Sequence, residues 1–287
     1  MLGGLLIGVC FALMLFGVTV VQTYVYFLRC SRDPWWTKGI VIAVCLFETV
    51  HIISSVRLVY FETIIIQDST DNSLLEKIDW SIPLGIICQA LIVGLVQGFY
   101  ALRLWLLSES SVLLAFCTSI VTLLRVVLLF VVGGESVHIP NWTDFSQRYK
   151  VSVRVSLAAA VIVNTTIAVV SIYFMRRNDR VLTLTNERPQ TQQHKLVTYL
   201  LNTGALLSLI SIAVLVTVLR VKDSLLFVGL SAIENHLYAN TLLGLLASRP
   251  VPRRGNATGT TMVFSSAFYA PTSTTIASSR PQTMSFA

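Results

Sequence analysis

The chain has 287 residues, of which 54% are hydrophobic and 12% charged, and its mean hydropathy is +0.74. A soluble domain of that size would not carry so apolar a composition, so the sequence reads as an integral membrane protein. The formal net charge of +7 belongs to the flanks of apolar runs, where it sets topology, and nucleic acid is not implied as a partner.

Seven stretches are long enough to cross a bilayer core of about 30 Å as helices, at roughly 20 residues each. They are predicted near 3–28, 39–61, 82–107, 111–132, 151–175, 196–219 and 225–247. The first lacks the basic flank and cleavage site of a secretory signal and is expected to be retained. Its Gly4, Gly8 and Ala12 stand four residues apart, which predicts close helix packing. The fold class expected is therefore an all-α membrane protein, a seven-transmembrane helix bundle over 1–249.

Counting Lys and Arg on alternate sides orients the bundle. The connections 29–38 and 176–195 and the segment after 248 are basic, whereas the 62–81 loop is diluted by Glu62, Asp68, Asp71, Glu76 and Asp79. The N-terminus is expected outside and the C-terminus in the cytosol, most naturally of the plasma membrane. Asn141-Trp142-Thr143 agrees, since it is a glycosylation acceptor in the expected outer loop 133–150. The 250–287 tail is rich in Ser, Thr, Pro and Gly and is expected to be disordered. The basic 176–195 connection reads first as a topology anchor beside anionic lipid, and second as a docking surface for a cytosolic signalling protein. Of the five cysteines, Cys10, Cys45, Cys88 and Cys117 are expected as buried thiols and Cys30 as an acylation candidate, with no disulfide framework.

Polar groups inside the apolar runs carry the functional signal, because a charge near the bilayer centre costs about 2.5–3.5 kcal/mol on the insertion scale. At 1.5 Å per residue, Glu48 and His51 lie about 14 and 18 Å from the cytosolic end of helix 2, and Glu234, Asn235 and His236 of helix 7 about 16–20 Å from the same side. Gln97 of helix 3 and Asn164 of helix 5 fall at about 15–16 Å, so all are expected in one midplane layer. Glu48 and His51 share a face that Ser55 continues; Glu234 pairs with Tyr238, and His236 with Asn240, at i,i+4. Arg125, about 21 Å up, is the expected counter-ion if it points inward. Arg57 and Arg103 are expected to snorkel. For Gln97, Asn164 and Asn202 helix-to-helix hydrogen bonding is the favoured role. For Glu48, His51, Glu234 and His236 a ligand clamp or proton relay weighs equally.

Enzyme chemistry finds little support. His138 and His194 belong to opposite surfaces, no H-E-x-x-H helix is present, and no Walker loop, G-x-S-x-G elbow or haem motif occurs. No cofactor or metal is implied.

The stretches "VTVVQTYVYFLRCSRDPWWTK" (18–38), "FETVH" (47–51), "LVQGFYALRLWLLS" (95–108), "KLVTYLLNTGALLSL" (195–209) and "LYANTLLGLLASR" (237–249) occur in an order that resembles a family of fungal, mainly mushroom, seven-helix membrane proteins whose shared domain has no assigned function. The resemblance implies architecture. It places an acid at Glu48 followed by Thr49 and His51, an Asn-Thr-Gly at Asn202, Thr203 and Gly204, and a Tyr-Ala-Asn at Tyr238, Ala239 and Asn240. The leading functional expectation is a receptor-like protein sensing a small molecule or lipid through the polar layer. The rivals are a proton-coupled carrier using Glu48, His51 and Glu234, and a scaffold in which the layer is only structural.

Overall fold

A computed structural model describes residues 2–30, 33–65, 78–107, 112–138, 142–184, 191–220 and 226–247, with the side chains of residues 2, 103–107, 112–115, 142–146, 170–184, 191–204 and 247 left aside. Among the described residues all regular structure is helical: α1 (Leu2–Arg29), α2 (Trp35–Tyr60), α3 (Ser81–Leu107), α4 (Val112–Ser136), α5 (Trp142–Leu184), α6 (Thr191–Arg220) and α7 (Leu226–Ala247), with a π-helical turn, Phe61–Ile65, extending α2.

Local chemistry explains the helix starts. Pro34 precedes α2, where its fixed φ suits the entry and its carbonyl accepts from the Thr37 amide at 3.1 Å. Asp79 caps α3: its carboxylate accepts from the Ser81 amide at 3.2 Å and its carbonyl from the Ile82 amide at 3.0 Å.

Each helix packs on the next, and α7 returns to α1, closing the order into a ring; α7 also touches α2 and α3. The surface is the reverse of a soluble protein's. Leu6, Ile7, Phe11, Met14 and Val21 of α1 and Phe116, Ile120, Leu123 and Val127 of α4 face outwards, as lipid-facing side chains must. Five helical segments are long and apolar enough to cross a membrane: Gly3–Arg29, Trp35–Ile65, Ser81–Leu102, Phe116–Ser136 and Gln147–Val169.

The stripe of small residues on α1 faces α7. A Cβ at Gly8 would stand 2.5 Å from the Gly229 Cα, and one at Gly229 would stand 2.8 Å from the Gly4 carbonyl oxygen. The two backbones therefore touch at a place where any larger residue would hold them apart. Ala12 is fully buried nearby with Ile52 and Ala232.

Some expectations need correction. Residues 176–184 and 191–195, expected in a connection, lie in α5 and α6, and most of the expected 133–150 loop belongs to α4 and α5. The reason is that Arg, Asn, Asp and Lys carry only modest helix penalties and no proline stands within 142–184 or 191–195. Cys10 and Cys117 are exposed on the apolar surface instead of buried, and no disulfide is formed among the described residues. Arg57 does more than snorkel. It pairs with Asp79 at 3.7 Å and lies 6.0 Å from the Trp80 ring and 5.9 Å from that of Tyr60. Arg103 and Asn202 have side chains outside the described set, and Asn141 and the 250–287 tail lie outside the described residues.

Candidate functional site

The polar residues predicted for the interior converge on α7. From Glu234 to Leu246 every α7 residue is buried, so the helix presents polar groups to its neighbours in all directions. Successive residues rotate about 100°, which puts Glu234 and Tyr238 on one face and Asn235 and His236 on others. The expected single midplane layer is in consequence two clusters, separated by α7 itself.

On the first face, Glu234 and Arg125 form an ion pair at 3.6 Å, with side chains 0% and 1% exposed. Tyr238 stands between them. Its hydroxyl accepts from the Arg125 guanidinium at 2.7 Å and lies 3.1 Å from Glu234 Oε1, one helical turn away. Asn164 of α5 donates to Ser211 Oγ at 2.7 Å and to the tyrosine hydroxyl at 2.6 Å. Ser211 of α6 in turn donates to Glu234 Oε1 at 2.6 Å. Gln97 of α3 completes the group, 3.3 Å from both Asn164 Oδ1 and the Tyr238 hydroxyl. A buried charge is tolerable only when paired and hydrogen-bonded, and here one carboxylate oxygen is shared by Arg125, Tyr238 and Ser211.

On the other side of α7, Glu48 of α2 meets His236 Nδ1 through Oε2, and both side chains are 0% exposed. The Asn235 amide approaches Glu48 Oε1 at 3.4 Å. His51 lies edge-on to His236, with ring centroids 5.4 Å apart, and Phe16 of α1 covers the other side of the His236 ring at 6.1 Å. His51 Nδ1 and His236 Nε2 are buried nitrogens without a hydrogen-bond partner among the described residues. Both Ser54 and Ser55 donate to the His51 carbonyl, at 2.8 and 2.9 Å; Ser54 is the buried one, although Ser55 was expected to extend this face.

Asn240 belongs to neither cluster. Its amide donates to the Leu15 carbonyl and the His236 carbonyl at 3.0 Å each, and Thr19 Oγ1 lies 3.3 Å from its Oδ1. Through these contacts α7 is bonded to every other helix: α1 by Asn240, α2 by Asn235, α3, α4 and α5 by Tyr238, and α6 by Glu234.

One stretch of the chain is similar to a known family. Residues 160–251 match a domain described as a family of unknown function, DUF6534. No curated protein and no solved structure matches the chain. The matched segment holds the α5, α6 and α7 contributions, Asn164, Ser211, Glu234, Asn235, His236, Tyr238 and Asn240, while Glu48, His51, Gln97 and Arg125 come from helices before it.

Ser211 and Thr19 were not singled out in the sequence. A serine in an apolar run is common, and α6 offers a second one, Ser208, which is half-buried and donates to its own helix at the Ala205 carbonyl. Depth arithmetic does not separate the two serines, since Ser208 falls about 18 Å and Ser211 about 22 Å from the same end; the bond from Ser211 to Glu234 does.

Proposed function

We propose that the chain crosses the membrane seven times, with its N-terminus outside and its C-terminus in the cytosol, and acts as a receptor-like sensor of a small molecule or lipid in the plasma membrane, without enzymatic activity. The observation that carries this reading is that α7 is bonded through its side chains to all six other helices. A sensor needs an element whose displacement is felt throughout the bundle, and a two-state rearrangement of such a helix repacks every interface at once.

The described part of α6, Ala205–Arg220, is apolar, and the polar groups of α7 are buried against protein and never meet lipid, which supports a seven-span count. The outward N-terminus follows from the basic flanks and makes Asn141 a glycosylation acceptor beside the start of α5. Arg176, Arg177 and Arg180 belong to the last turns of α5, and that basic stretch is the proposed docking segment for a cytosolic signalling protein. The resemblance to fungal seven-helix proteins is in keeping with this architecture.

The test is hydrogen exchange on the full chain in nanodiscs while fractionated lipid and peptide extracts are added. At least one fraction is expected to change protection along α7 together with the α5 end. If no fraction alters exchange anywhere, the sensor reading fails. A carrier is the second reading, favoured by the buried acid and imidazoles, and proton flux into liposomes that Glu48→Gln abolishes would establish it.

A further inference from the structure

The two clusters differ in how their charge can be balanced. Glu234 faces Arg125, a cation at every accessible pH, so that carboxylate has a fixed counter-charge. Glu48 has no such partner: among the described residues, no Lys or Arg lies within ion-pair distance of it, and its neighbour is His236. The titratable groups around it are His51 and Cys45 of α2, Cys88 of α3 and His236 of α7. From α1 the ring of Phe16 faces His236. With every one of these groups unprotonated except the thiols, the cluster would hold a bare carboxylate in an apolar core, which is the costly state. One proton, resting on Glu48 or on His236, makes it neutral.

The surroundings also give that proton a direction. Towards Pro34 the interior is closed by Val41, Val44, Val96, Phe99, Leu242 and Leu246, all buried in one apolar cluster. Towards Asp79 the α2–α3 seam carries polar side chains beside the apolar Leu58 and Ile82. Ser54 is 1% exposed, Ser81 2% and Asp79 7%, and α3 comes so close that a Cβ at Gly85 would meet Ser54 Oγ at 3.3 Å. Ser81 Oγ is a buried hydroxyl with no hydrogen-bond partner among the described residues, and Arg57 on Asp79 marks the mouth.

We propose that Glu48, His236 and His51 form a proton-binding site that exchanges one proton with the Asp79 side of the membrane and is sealed from the other. The proton is the ligand, and the gain or loss of charge beside α7 is the signal. The site stands without the sensor reading; only the assignment of the Asp79 side as the outer one rests on the proposed orientation. One-sided access makes the cluster a pH-responsive site and not a relay across the membrane, since a relay needs a second polar exit.

Infrared difference spectra of the full chain in nanodiscs, scanned from about pH 5 to 10, test the site. A carboxyl or imidazole band that titrates by one proton is expected in wild type and in Glu234→Gln, and is expected to vanish in Glu48→Gln. Selective nitrogen-15 labelling of histidine in the wild-type chain provides the same reading without a variant, as His51 and His236 should move together with the band. A band that survives Glu48→Gln, or wild-type protein in which neither buried histidine responds across that range, overturns the proposal. Sidedness is read in vesicles of one orientation, set by protease access to a C-terminal tag. A pH jump on the Asp79 side should shift the band, and an equal jump on the opposite side should leave it unmoved. Equal responses to both jumps would overturn the one-sided site and favour a relay.

Discussion

The two faces of α7 hold the same chemical problem, a buried glutamate, and solve it differently. Glu234 faces a fixed cation, Arg125, and its Oε1 is held by hydroxyl and amide groups from α5, α6 and α7. Glu48 has one imidazole against it, a second imidazole beside that, and an amide at 3.4 Å. A network with a fixed counter-ion locks helices together, whereas one whose counter-ion can lose its proton stays responsive. The contrast teaches that burial of a charge does not by itself mark function. The nature of the partner separates a clamp from a switch.

The contrast can be broken most directly at Arg125. Arg125→Leu leaves Glu234 buried and unpaired, with an expected loss of about 3–5 kcal/mol of stability, measured as thermal melting in nanodiscs. Replacing both partners, Arg125→Met with Glu234→Met, should recover most of that loss, because a neutral pair of similar volume removes the stranded charge. A double variant as unstable as the single one would mean that Arg125 acts through packing. Next in size, Tyr238→Phe removes the hydroxyl shared by Arg125, Asn164, Gln97 and Glu234 and should cost about 1–3 kcal/mol, with no change in the pH response of the other cluster. Glu48→Gln should cost only about 1 kcal/mol near neutral pH, since the amide keeps a neutral site neutral. Its distinguishing effect is to flatten the dependence of melting on pH. Were it to destabilise the protein as much as Arg125→Leu, the two faces would be alike and the contrast would fall. Thr19→Val on the α1–α7 seam, outside both clusters, is the smallest, about 0.6 kcal/mol.

Much of this was legible in the sequence, because lipid imposes a strong rule. Helices near 3–28, 39–61 and 82–107 were found within a few residues of α1, α2 and α3, as apolar runs of fixed length must be. Depth arithmetic brought Glu48, His51, Glu234, His236, Gln97, Asn164 and Arg125 to one level, since rise per residue is constant. Rotation about the bundle axis was harder. That Glu48 and Glu234 face different chambers depends on where α7 sits in the ring, which is a matter of tertiary packing and leaves no local trace. The ends of α5 were missed for another reason: turns that run past the membrane obey ordinary helix propensity, and hydropathy says nothing about them.

Burial of α7 on every side bears on how the protein is made. On the proposed seven-span topology, a segment with Glu234, Asn235, His236 and Asn240 in its middle partitions poorly into lipid by itself and enters the bilayer only against partners already there. Those partners lie on α1 to α6, which precede it during synthesis. Until α7 arrives, Glu48 and Arg125 line an interior with no complement, a state in which quality control would find exposed charge. The closing helix therefore doubles as the checkpoint of assembly, and a chain stopped before Leu226 would be expected to be degraded even though six of its helices are complete.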